Sequence, residues 1–385
     1  MGSDMNSLLI LYAESWGLLG NANAALGLAR RLREAWPEIE IDLCSGEEVW
    51  PEFADWGRRI SELSASLDAA SVARDYHSLT RDITARVGLW PDQQALHEPA
   101  KRLTDRLANA DSKVIATKGL LARLAMATGR AQVTNWITNP GLLGLPFHRC
   151  LDAHATCVPL EGTAERLTQL GVAPETISVT GPSIEMPFNR AQMIVTQSGA
   201  SADTPILLIY SPSAVPDSVS TLIQSLPTER AIEIVLITHA GDKRDWNAAL
   251  PEARFPPMHV TVYPGLSHHA FLALLDRMRA AKDRVLVTKS GPNTVFEVIE
   301  LGIPLVVYRS GLPMEEWIPS FVIREGIGAV AGDWNHLGLR ISEVLGKPQA
   351  QSDMVAAQAR LRSRVFGDRS AIIRGLQKAV AAGSV

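Results

Sequence analysis

The residues best suited to chemistry in this 385-residue chain lie in one short stretch, Lys289-Ser290-Gly291-Pro292-Asn293-Thr294-Val295-Phe296-Glu297. An apolar run at 285–287 leads into it, and Gly302-Ile303-Pro304 closes a helical repeat behind it. The stretch reads as strand, tight turn, helix, glycine stop and strand. Ser290 and Gly291 fall at the helix cap, and Pro292 suits the first turn, where a missing N–H costs nothing. With Asn293 and Thr294 they form a helix start whose free N–H groups and positive dipole end favour an anion such as a phosphate. Glu297, about one turn further in, carries two acceptor oxygens that could hold a ribose diol. Gly302 fits the left-handed residue that ends a helix. An ordinary capped helix with a solvated Glu297 has the same spacing and is the commoner case in α/β folds.

Such a helix start needs a parallel sheet to position it. The apolar run 7–13, the glycine-containing stretch Glu14–Asn21 and a helical repeat through about Glu34 predict a strand, a loop and a helix. Another strand follows at 39–44, completing a βαβ unit. Residues 46–110 are less regular and helix-like, with Trp50, Phe53, Trp56, Tyr76 and Trp90 among mixed charges. These aromatics could line an acceptor pocket or touch a membrane, but core packing is the default for each. Strands are expected at 113–117, 132–138 and 177–180, with a helix at 163–170. A second series predicts strands at 205–210, 232–238, 259–263, 284–288 and 304–308, with helices at 219–226, 270–279 and 294–301. Two successive Rossmann-like α/β domains follow, 5–187 and 188–385, joined through the unpatterned stretch 186–204.

Composition agrees with a globular chain: 46% hydrophobic and 20% charged residues exclude extensive disorder. The net charge of −4 offers no global footprint for nucleic acid. Three cysteines, Cys44, Cys150 and Cys157, are too few and too scattered for a disulfide framework, so a cytoplasmic setting is expected. No run of about 18 apolar residues is present. His268-His269 lacks a spaced partner for a metal, and no Asp-x-Asp pair occurs, so no metal site or cofactor is expected.

The segment Lys289–Glu297, followed by Gly302-Ile303-Pro304-Leu305-Val306-Val307-Tyr308 and Pro313-Met314-Glu315-Glu316, resembles the donor-binding signature of glycosyltransferase family 28. That family includes diacylglycerol glycosyltransferases and the N-acetylglucosaminyltransferase of peptidoglycan synthesis. Cys157-Val158-Pro159, Ala164-Glu165-Arg166, Gly171-Val172 and 177–184 are similar to the end of the family's N-terminal domain, and the N-terminal loop and helix are a third match. The resemblance covers most of the chain outside 46–110. It implies a GT-B fold, two Rossmann-like domains facing across a cleft, with the donor mainly on the C-terminal one and the acceptor on the N-terminal one. It implies an inverting, metal-independent transfer from a nucleotide diphosphate sugar, with UDP the favoured nucleotide. In its terms Glu297 binds the ribose, Glu315-Glu316 lies by the donor sugar, and Gly265-Leu266 lies by the uracil through backbone contacts. His239, after a predicted strand, approaches the base or sugar or is simply a loop histidine.

Three departures stand out. Asn21 occupies the place of a histidine that commonly serves as catalytic base or helper, and a carboxamide cannot take a proton near pH 7. Glu14 is the nearest alternative base, or else a carboxylate capping a backbone N–H. Ser211-Pro212-Ser213 replaces a glycine-rich turn near the phosphates. Ser211 and Ser213 could donate hydroxyl hydrogen bonds to a diphosphate while Pro212 removes an N–H. Thr138-Asn139-Pro140 stands where the glycolipid enzymes carry an acidic residue. The readings therefore include transfer to a small-molecule or lipid acceptor, hydrolysis or epimerisation of the donor, and nucleotide-sugar binding without catalysis. Peripheral membrane contact stays open, with a soluble acceptor favoured and no nucleic-acid partner.

Overall fold

The computed structural model describes residues 7–14, 20–64, 66–87, 93–107, 112–141, 149–182, 204–211, 214–226, 231–238, 242–250, 258–365 and 373–375. The expected linker 186–204, apart from its last residue, lies outside them, as do Ser213 and His239.

The chain divides into two compact units. In the first, β1 (Ser7–Tyr12), β2 (Glu40–Ser45), β3 (Ser112–Ala116), β4 (Ala131–Trp136), β5 (Ala155–Val158) and β6 (Ile177–Val179) form one sheet in the order β2-β1-β3-β4-β5-β6. All of its pairings are parallel. The second sheet comprises β7 (Ile206–Tyr210), β8 (Glu233–Thr238), β9 (His259–Pro264), β10 (Arg284–Lys289), β11 (Leu305–Tyr308) and β12 (Gly328–Ala331), ordered β12-β11-β10-β7-β8-β9 and again wholly parallel. The central strands carry apolar runs at their middles, as strands covered on both faces do; β8 and β11 are buried along their whole length.

Most expected elements are present. Two strands escaped the sequence reading, β5 and β12, because Ala-Thr-Cys-Val and Gly-Ala-Val-Ala lack the bulk that marks a buried strand. The helical stretch between β2 and β3 resolves into helices Pro51–Ser64, Ala69–Val87 and Gln93–Thr104. Trp50, Phe53 and Trp56 are buried and packed on one another, with ring centroids 5.8 and 5.5 Å apart. They are core residues, not an acceptor or membrane surface.

The contacts divide the chain differently from a single cut after residue 187 in two places. Ala65–Val72 counts with the second unit, and the residues from Val365 onward count with the first. The physical reason is packing. Leu67 lies against the second core, and Ile373 lies against the first.

At the helix following β10, Gly302 adopts φ 69° and ψ 49°, and its N–H and that of Ile303 both reach the carbonyl of Val298. This left-handed stop returns the chain directly into β11, as the sequence predicts. The helix Pro348–Val365 is held to the sheet by Gln358, buried, whose carboxamide N–H group donates to the carbonyls of Ile303 and Ile327, each at 2.8 Å. It thereby ties together the starts of β11 and β12.

Candidate functional site

In each sheet the strand order reverses once. In the second unit the reversal falls between β7 and β10, whose connections lead away in opposite directions. Ser211 and Ser290 stand just past the ends of these two strands. Ser290 N–H donates to the carbonyl of Tyr308 at 3.1 Å, and its hydroxyl donates to Ser310 Oγ at 3.2 Å while accepting from Ser310 N–H at 3.2 Å. Ser310 Oγ also accepts from Leu312 N–H at 3.2 Å. This latch fixes the turn before the helix Pro292–Leu301 and the loop after β11 as one piece. Gly291 is the N-cap, without a side-chain cap, and an added Cβ there would meet none of the described residues within 4 Å. Its own N–H donates to the carbonyl of Lys289 at 2.7 Å, and Pro292, Asn293 and Thr294 are half-buried around it.

Glu297 lies one turn in and is only 6% exposed, so it is not a solvated surface carboxylate. Its charge, together with burial as the larger cause, pushes the Tyr210 hydroxyl up to about 12. Glu297 is thus near the end of β7, at the reversal. The neighbouring pair Glu315 and Glu316 separates. Glu315 is buried, its Oε2 has no hydrogen-bond partner among the described residues, and burial raises its carboxyl above the usual range against the opposing Lys289 charge and a Ser310 hydrogen bond. Glu316 is partly exposed and paired with Arg309. Of the two, Glu315 is the one turned into the protein beside the latch.

Ser211 departs from its expected role. It is fully buried and its hydroxyl is engaged with Tyr308 Oη at 2.8 Å, while its N–H goes to the carbonyl of Ile237. The hydroxyl braces the end of β7 against the end of β11 instead of standing exposed for a ligand. Gly265, with φ 78°, and the half-buried Leu266 follow β9.

The loop after β11 is also braced from outside. Gly311 has φ 75°, and a Cβ on it would fall 2.3 Å from the carbonyl oxygen of Ala69 and 2.5 Å from its Cα. Backbone meets backbone, at the first residue of the helix Ala69–Val87, whose start is capped by Asp68 accepting from the N–H groups of Ala70 and Ser71 at 3.1 Å each. Only glycine satisfies both the angle and the gap.

In the first unit the reversal falls between β1 and β3. Glu14, just past β1, is exposed, and its N–H donates to Glu47 Oε2 at 3.0 Å. Asn21 sits in the first turn of the helix Gly20–Ala35 and is 8% exposed. Its carboxamide oxygen accepts from the Thr138 hydroxyl at 2.8 Å. Two of the three sequence departures therefore meet in space and form a neutral pair. Asn139 closes a turn by accepting from Gly141 N–H at 2.9 Å. Because β3 lies between β1 and β4, the Asn21–Thr138 bond crosses the line of β3, where Thr117 and Lys118 stand. Thr117 is locked to β1 by donating to the Leu11 carbonyl and accepting from Ala13 N–H at 3.2 Å.

Sequence reasoning missed Lys118. It is 5% exposed, at the N-cap of the helix Gly119–Ala127, and burial lowers its ammonium from 10.5 to about 8. The available signal was a charged residue closing an apolar strand run at its C-terminal end.

No family model matches the chain. A processive diacylglycerol β-glucosyltransferase of Bacillus licheniformis is 22% identical over 194 residues, 49% of each chain, so the chain spans about half the length of the curated relative it matches. A UDP-glucosyltransferase from Polygonum tinctorium superposes over 100% of both chains with a TM-score of 0.60 at 13% identity. The fold is GT-B. A calicheamicin glycosyltransferase agrees, again over 100% of both chains, with a TM-score of 0.58 at 13% identity. At these identities the structural likeness establishes the GT-B architecture, and the resemblance to the diacylglycerol glycosyltransferases stands beside it as similarity of sequence. Among the described residues no helix is long and apolar enough to cross a membrane.

Two predictions follow from this packing. Gly311→Ala should cost at least about 2 kcal/mol, from the left-handed angle and the collision with Ala69, read as a lowered urea midpoint for the second unit. The folded state holds Lys118 near 8 against 10.5 for a free lysine, which disfavours folding by about 3 kcal/mol below pH 8. That cost vanishes as pH rises from 8 toward 10.5. Lys118→Met should therefore be the more stable protein at pH 7 by chemical unfolding, with the gap closing by pH 10.

Proposed function

We propose that this protein is an inverting, metal-independent glycosyltransferase that moves a sugar from a nucleotide diphosphate sugar, with UDP as nucleotide, to a hydroxyl or other nucleophile of a small-molecule or lipid acceptor. The observation that carries the reading is the helix start at Gly291, where an added Cβ would meet none of the described residues within 4 Å, fixed by the Ser290–Ser310 latch, with Glu297 buried one turn behind it. The positive dipole end of the helix that starts in Ser290–Thr294, with the N–H groups of Asn293 and Thr294, would hold the diphosphate and stabilise the charge that develops as the C1–oxygen bond of the donor breaks. Glu297 would accept from the ribose hydroxyls. Glu315 would face the sugar, and the backbone at Gly265-Leu266 would edge the base. Ser213 and His239 keep their expected donor roles as proposals.

On the acceptor side, Glu14 is proposed as the base for a hydroxyl acceptor, and Asn21, held by Thr138, as a neutral positioning group. The three cysteines are buried, with thiols raised to about 11, 11 and 12, which suits the proposed reducing, cytoplasmic placement. The neutral Asn21–Thr138 pair also favours a second reading, a protein that binds a nucleotide sugar without transferring it.

Calorimetry with UDP and mass spectrometry of the protein incubated with UDP- and dTDP-sugars decide between them. Nucleotide diphosphate released only when cell extract or an acceptor is added indicates transfer, and release without acceptor indicates hydrolysis. Binding with no turnover supports the second reading. Glu297→Ala should weaken UDP binding by tenfold or more, and an unchanged Kd removes its ribose role. Glu14→Gln should reduce transfer by about a hundredfold with the UDP Kd intact; near-normal turnover rules it out as the base.

A further inference from the structure

The loop after β11 gathers groups from three distant parts of the chain, all within the second unit. Ser310 Oγ accepts from the Ser290 hydroxyl at 3.2 Å, which joins the loop to the start of the helix Pro292–Leu301. Glu315 folds back onto the same residue. Its N–H donates to the Leu312 carbonyl at 2.8 Å, and its carboxyl accepts from Ser310. Glu315 is only 8% exposed, and its Oε2 has no partner among the described residues. Between Ser310 and Leu312, Gly311 lies so close to Ala69 that a Cβ would fall 2.3 Å from the Ala69 carbonyl oxygen. Leu67, packed against the second core, anchors that helix start.

Asp68 therefore stands one residue from the contact with Gly311, and it is exposed. Its Oδ1 accepts from the N–H groups of Ala70 and Ser71, at 3.1 Å each, which fixes the carboxylate in place. Among the described residues its Oδ2 makes no hydrogen bond, and neither oxygen is in an ion pair. Two carboxyl groups from opposite parts of the sequence, each with one oxygen uncommitted, thus meet at the Ser310–Gly311 corner.

We propose that Asp68 is a specificity-determining residue of the donor site, accepting hydrogen bonds from hydroxyl groups of the transferred sugar, and that this sugar is neutral and not a uronic acid. The inference rests on the reading of Ser290–Thr294 and Glu315 as the donor site. An ionised carboxylate can only accept, so whatever faces it must donate, as a sugar hydroxyl does. Hydrogen bonds to a charged acceptor are the stronger kind. A sugar hydroxyl also supplies the donor that Glu315 Oε2 lacks among the described residues. A carboxylate on the sugar would instead meet a like charge. Lys289 opposes the charge of Glu315, whereas Asp68 has no cation paired with it among the described residues. Such repulsion rejects the wrong ligand, as the hydrogen bonds select the right one.

The test is calorimetry on the full chain with UDP, UDP-glucose, UDP-galactose, UDP-N-acetylglucosamine and UDP-glucuronate, using wild type, Asp68→Asn and Asp68→Ser. Asn and Ser cap helices about as well as Asp, so both variants keep the helix start; Asn removes the charge and Ser removes the second oxygen. Wild type should bind one of the neutral UDP-sugars at least about tenfold more tightly than UDP-glucuronate. For that sugar, affinity should fall about tenfold in Asp68→Ser and about fivefold in Asp68→Asn. Both variants should keep the UDP Kd of wild type, which shows that they fold and that the loss belongs to the sugar. Asp68→Asn should also narrow the gap to UDP-glucuronate. Unchanged binding of the neutral UDP-sugar by both variants overturns the proposal and leaves the donor reading standing, as does UDP-glucuronate binding equal to that of the neutral sugars. An equal loss of UDP affinity in both variants assigns Asp68 to the fold of the site and overturns its sugar role. A wild type that binds neither UDP nor any UDP-sugar overturns the donor reading, and this inference with it.

Discussion

A parallel sheet brings all its strands to an end along one edge, and only where the strand order reverses do the connections part and leave that edge uncovered. Everything of chemical interest in this chain follows from that constraint acting twice. In the second unit the reversal between β7 and β10 places a glycine-capped helix start at this edge and draws Glu297 toward the end of β7. In the first unit the reversal between β1 and β3 gathers Glu14, Asn21 and Lys118.

These edges hold their shape because polar groups are spent on bracing. Ser211 and Tyr308 link β7 to β11, and Ser290 and Ser310 link the turn after β10 to the loop after β11. Gly311 lets that loop close on the start of a helix that precedes it by more than two hundred residues in sequence. The hydroxyls of Ser211 and Ser290, which look available in the sequence, are thus structural. Neighbouring carboxylates can meet different fates within such a frame: Glu316 reaches an arginine at the surface, while Glu315 stays inside with one oxygen that has no partner among the described residues. An unsatisfied buried oxygen costs stability.

Much of this was legible beforehand. The alternation of apolar runs with helical repeats predicts two Rossmann-like units, and the Ser290–Glu297 segment is readable because cap, proline and glycine signals act over a few residues. The reading failed where the signal is weak or non-local. Strands β5 and β12 are built of small residues. Ser211 carries the same hydroxyl whether it braces a strand or binds a phosphate, and only the position of Tyr308, ninety-seven residues away, decides which.

The amino-acid sequence by itself determined the local elements, the GT-B architecture through its resemblance, and the helix start after β10, since these depend on periodicity and on neighbours within one or two turns. Only the tertiary structure decided which polar residues are consumed and which remain. Asn21 and Thr138 read as two separate losses of catalytic groups, yet they form a single hydrogen bond across the end of β3. Lys118 reads as a lysine at the end of a strand, yet it is buried at the reversal. The physical reason is that burial and partner choice are set by contacts between segments a hundred residues apart, and those contacts exist only once the sheet has ordered its strands.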